Sequence, residues 1–86
     1  MPVVSRFYGI VIKMYYDDHA KPHFHVEYGE KEAKFSLPQL KAFEGKVPNR
    51  VKSMVFEWAA QHLDELMDDW KRCHEGIVPK PIKPLE

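Results

Sequence analysis

The chain reads as an α+β domain, a three- to four-stranded antiparallel sheet with one long C-terminal amphipathic helix packed on one face. Three observations predict it. Residues 6–16 and 23–37 alternate side-chain character with the two-residue period of half-buried strands. From residue 49 to about 74, apolar side chains return every three or four positions, the period of a helix face. At 86 residues there is room for one domain only.

Residues 6–16, RFYGIVIKMYY, are rich in β-branched and aromatic types and read as the first strand. Alternation places Tyr8, Ile10, Ile12 and Met14 on one face, and Phe7, Gly9, Val11, Lys13 and Tyr15 on the other. The first set is uninterrupted and is taken as the core face. Residues 17–22 form a polar, histidine-bearing connection that ends in Pro22, which cannot donate to a central ladder. In HFHVEYG, Phe24, Val26 and Tyr28 alternate with His23, His25 and Glu27. Residues 29–31 turn the chain, and EAKFSL forms the third strand with Ala33, Phe35 and Leu37 inward. Residues 40–43, bracketed by Pro38 and Gly45, read as a short fourth strand or an irregular turn.

Pro48 and Asn49 mark the helix start, with Asn the expected cap and Pro tolerated in the first turn. Val51, Met54, Val55, Trp58, Ala59, His62, Leu63, Leu66 and Trp70 then form the apolar stripe, widened by Phe56 and Met67. Glu57, Gln61, Asp64, Glu65, Asp68 and Asp69 are expected on the solvated side. A helix of ~25 residues is about 38 Å long, more than three short strands would cover. Gly76 suits the C-terminal end, and the Pro-rich IVPKPIKPLE cannot continue a helix. Residues 1–76 are thus taken as the domain and 77–86 as an extended tail.

Thirteen basic and thirteen acidic side chains cancel. An extended nucleic-acid footprint is disfavoured, because such binding draws on a basic excess. The single cysteine, Cys73, rules out an internal disulfide framework. No apolar stretch reaches signal-peptide or membrane-span length, so the expectation is a cytoplasmic, reduced protein without membrane contact.

The chemistry concentrates in DDHAKPHFHVEYG, residues 17–29. His23 and His25, two apart on a strand, point to one outer face, and Glu27 continues their row. Lys13 and Tyr15 of the first strand lie on the same face, and His19 could fold back towards the pair. Imidazole nitrogens suit zinc and other divalent ions, so His23, His25 and His19 are candidate metal ligands. Asp17 or Asp18 could then orient a ring from behind. Without a metal, His23, His25 and His19, with Glu27 and Lys13, could serve as acid, base and charge stabiliser for phosphodiester cleavage. The plainer reading makes the row a polar sheet face. His62, inside the apolar stripe, is expected to bond a backbone carbonyl. Trp58 and Trp70 read as core anchors, and Cys73 as inert. Phe7, Val11 and Tyr15 add apolar area to the outer face, a surface suited to a partner or to self-association.

SRFYGIVIKMYYDDHAKPHFHVEYGE, EGKVP and W…HLDELMDDW together resemble domain-of-unknown-function family 4160, small bacterial proteins. Asp18, His19, Pro22, His23, Phe24, His25, Tyr28 and Gly29 stand at its most specific positions. SLPQLKAF departs from it, since relatives more often carry a turn-rich acidic stretch there. The resemblance implies a compact α+β domain and pairing with another small protein in a toxin–antitoxin-like system, and it implies no catalytic role. Two functional expectations stand. One is a protein-interaction module of a two-protein regulatory system. The other is a small hydrolase or ribonuclease that uses the His23/His25 strand face, with or without a divalent metal such as zinc.

Overall fold

The computed structural model describes residues 2–16 and 21–86. Residues 6–16 do not form one strand. The chain reverses at Tyr8 and Gly9, whose φ angles are 50° and 80°, and positive φ at both central residues marks the hairpin turn whose twist matches its strands. The turn joins β1 (Val3–Phe7) to β2 (Ile10–Lys13). Because Phe7 pairs with Ile10 across it, Phe7 moves from the expected outer face into the core, while Tyr8 is 61% exposed. Alternation held on each side of the turn but not through it.

β3 (His23–Tyr28), β4 (Lys31–Ser36) and β5 (Ala42–Gly45) complete an antiparallel meander in the order β1-β2-β3-β4-β5. Among the described residues the sheet thus has five strands, not three or four. One comes from splitting the first predicted strand, and β5 settles the choice at residues 40–43 in favour of a strand two residues further on. Ile12, Val26 and Ala33 align across three strands on the core face, beside the Phe24–Phe35 pair. Those two rings stack 5.5 Å apart.

The expected single helix is two, α1 (Asn49–Gln61) and α2 (Leu63–His74). His62 leaves the helical region, with φ −126° and ψ 26°. The longest dimension of the fold is 33 Å, so a straight helix of ~38 Å would overhang it. The break lets α1 bury Val51, Val55, Trp58 and Ala59 while α2 turns Leu66, Asp69 and Cys73 inward. His62 is half-buried and bonds the Glu65 carboxylate, Nδ1 to Oε1 at 2.6 Å, instead of a backbone carbonyl. Pro48, not Asn49, occupies the residue before α1.

Gly76, at φ 76°, ends α2, with the Ile77 N–H returning to the Arg72 carbonyl at 2.7 Å. Residues 77–86 then lie along the body. Lys80 N–H donates to Asp69 Oδ1, Ile82 N–H to the Val4 carbonyl, and Trp58 Nε1–H to the Lys83 carbonyl, each at 2.8 Å. Asp69, expected in solvent, is 1% exposed beneath this strap. Its Oδ2 has no hydrogen-bond partner among the described residues. Burial pushes its carboxyl above the usual carboxylate range, against the opposing effect of the Lys80 N–H. A carboxyl that holds its proton more tightly when folded favours the fold at low pH. That contribution is lost as pH rises through the folded pKa. Asp69→Asn should therefore flatten the decline in stability on going from acid to neutral pH, read as urea midpoints across that range. An unchanged pH profile would count against the buried carboxyl as its source.

Candidate functional site

The outer sheet face is built by register. Lys13 lies opposite His25, His25 opposite Lys34, and Lys34 opposite Glu44. One residue pair along, Val11 lies opposite Glu27 and Glu27 opposite Glu32. Among the described residues, two ion pairs tie this face together, Lys13 Nζ to Glu27 Oε2 and Lys34 Nζ to Glu44 Oε2, both 2.9 Å. The hydrogen bond and charge of Lys34 hold the Glu44 carboxyl below its usual range, with smaller contributions from His23 and His25. Cross-strand pairs of this kind each contribute a few tenths of a kcal/mol up to about 1 kcal/mol.

His23 and His25 stand side by side, ring centroids 5.0 Å apart. His25 is half-buried against the edge of Tyr15 at 4.3 Å. His23 is only 3% exposed. Its ring lies 5.2 Å from Trp70 and 5.8 Å from Phe43. Its Nδ1 sits 2.8 Å from the Lys21 carbonyl; a carbonyl only accepts, so Nδ1–H is the donor.

The structure therefore brings together Lys13, Tyr15, His23, His25 and Glu27. His19, Asp17 and Asp18 lie outside the described residues. Among the described residues, no three His, Cys, Asp or Glu side chains converge as metal ligands. Beside His25, a hollow of about 90 Å³ is lined by Glu32, Lys34, Glu44 and Gly45. A small-molecule site usually needs roughly 300–1,000 Å³.

Four contributors escaped sequence reasoning. Trp70, read as a core anchor, is half-buried and also reaches His23. Lys34 and Glu44 join the face only through strand pairing. Phe43 arrives through a bulge, because Lys34 pairs with Glu44 and Phe35 with Ala42, leaving Phe43 as the extra residue. Bulges re-aim side chains at sheet edges, and this one leaves Phe43 56% exposed beside His23. A lone Phe in a doubtful strand carries no signal of that placement.

β5 is also the last strand of the sheet, and among the described residues no strand pairs with its outer side. Between it and α1 runs an open groove of about 470 Å³. Its floor is Phe35, Leu40 and Ala42, and its α1 wall carries Lys52, Ser53 and Phe56, the last 53% exposed. Cys73, by contrast, is buried, and burial pushes its thiol up, as expected of an inert cysteine.

No helix of the described residues is long and apolar enough to cross a membrane. No curated protein and no solved structure matches the chain significantly. One family model does match, over residues 9–71, well over half of the chain and spanning β2 to most of α2. The chain therefore belongs to the family described as Domain of unknown function (DUF4160).

Proposed function

We propose that the chain is a protein-interaction module, one half of a two-protein, toxin–antitoxin-like bacterial regulatory system. The observation that supports it best is the β5 border, where two phenylalanines are more than half exposed. Phe43 stands on the outer face and Phe56 on α1, on either side of a strand that ends the sheet. Large exposed aromatics that border one strand, rimmed by polar groups, suit a partner surface.

The alternative, a hydrolase or ribonuclease on His23 and His25, has in its favour that the two rings stand side by side. It has less geometric support, because His23 is buried among rings and the hollow at His25 admits little beyond water. With full-length protein as bait in a bacterial lysate, the wild type should retain a stoichiometric protein partner. Phe43→Lys and Phe56→Lys, both at exposed positions, should retain it at least about tenfold less well, as expected for an aromatic anchor. A wild-type protein that stays monomeric and captures nothing would sink the reading.

A further inference from the structure

Resting on that reading, we infer that the groove between β5 and α1 takes an acidic protein segment that carries an apolar anchor. The apolar part of the argument is the floor of Leu40 and Ala42 and the exposed ring of Phe56. The charge is the more telling part. The molecule is neutral overall, yet residues 41–52 hold four basic side chains and one acid. That acid, Glu44, is already paired with Lys34. Lys41 and Lys52 rim the groove, and neither forms an ion pair among the described residues.

α1 begins beside them with no acidic residue in its first turn and, among the described residues, no side-chain cap. The partial positive charge of its N-terminus therefore adds to the same field. Leu40 supports the floor from a left-handed backbone, φ 59°, a conformation that leucine rarely adopts. A carboxylate-bearing segment would satisfy the lysines while its apolar side chain covers Phe56.

A second copy of this chain fits less well. Its acidic stretch, five acids without Lys or Arg over residues 57–69, would have to enter a basic groove elsewhere on the molecule. Such a head-to-tail contact does not close on itself in a dimer and tends to propagate. Nucleic acid would find two lysines at an apolar floor instead of an extended basic track.

The test is selection of random decapeptides displayed against the immobilised full-length protein, followed by fluorescence anisotropy of the winners. The expected winners are rich in Asp and Glu around one aromatic or branched apolar residue. Their affinity should fall with added salt and drop roughly tenfold or more in the Lys41→Glu/Lys52→Glu protein. Circular dichroism would confirm that this variant, altered only at surface side chains, is folded. Phe56→Ala should weaken the same peptides at every salt concentration. No enrichment, enrichment of basic peptides, or winners indifferent to the charge reversal would each overturn the proposal. So would salt-sensitive self-association in place of peptide binding, or capture of RNA at the groove. If a lysate partner is retained undiminished by Lys41→Glu/Lys52→Glu, the groove assignment falls while the interaction module stands.

Discussion

Trp58→Ala should cost about 3–5 kcal/mol of folding stability, the usual range for truncating a buried aromatic. Total stability of a domain is typically about 5–15 kcal/mol. Trp58 is fully buried, and its ring joins three parts of the molecule. It packs 5.3 Å from Phe7 of the first hairpin and 6.3 Å from Phe24 of the central strand. Its Nε1–H holds the tail through the Lys83 carbonyl at 2.8 Å. Truncation leaves a cavity and an unanswered carbonyl together. Trp58→Phe separates these effects, keeping much of the ring while losing the donor, and should cost less. Denaturant midpoints measure both. The Ile82 amide, bonded to the Val4 carbonyl, should exchange with solvent sooner in both variants, because the tail is then pinned at fewer points. A loss below about 1 kcal/mol for the alanine variant would mean that Trp58 does not join these layers.

Gly45→Ala comes next, with an expected loss of about 2–4 kcal/mol. Gly45 closes β5 at φ 79°, a left-handed conformation that costs any residue with a Cβ. Space is the larger difficulty, since an added Cβ would collide with the Glu32 carbonyl oxygen and lie 3.1 Å from the Ala33 Cα, both backbone atoms of β4. A strand backbone cannot step aside like a flexible side chain, so β5 would have to lift from β4. Gly29→Ala is the control. It shares the left-handed backbone, φ 60°, but a Cβ there meets nothing within 4 Å. Its cost should be about 1 kcal/mol, the conformational part alone. Equal losses in the two variants would show that the close approach to Glu32 is not a constraint. Lifting β5 would also displace Phe43 and the floor of the α1 groove, so the proposed interaction module predicts that Gly45→Ala weakens partner binding while Gly29→Ala does not.

The α+β class, the core faces of β3 and β4, the apolar stripe of the helices and the end at Gly76 were all legible in the sequence. Each depends on a short-range period or a local backbone preference, which a window of a few residues contains. Phe24, Val26, Ala33, Phe35 and Leu37 alternate into the core whatever lies opposite them. The specific run from Asp18 to Gly29 likewise carries the resemblance to the family by its local sequence alone.

Other features were decided only by what packs against what. Tyr8 is a good strand former and Gly9 the one local hint of a turn, too weak alone to split the run, so one strand was read where there are two. His62 offered neither Gly nor Pro as a break. The helix bends there because the body is shorter than the stripe. Asp69 looked solvated until the tail returned to cover it. Phe43, Lys34 and Glu44 reach the histidine face by register and a bulge, and the groove exists only because α1 lies beside the last strand. Periodicity tells which side of an element is apolar. Where an element stops, and which surface remains uncovered, depends on the lengths and positions of its neighbours, and those are set by the folded whole.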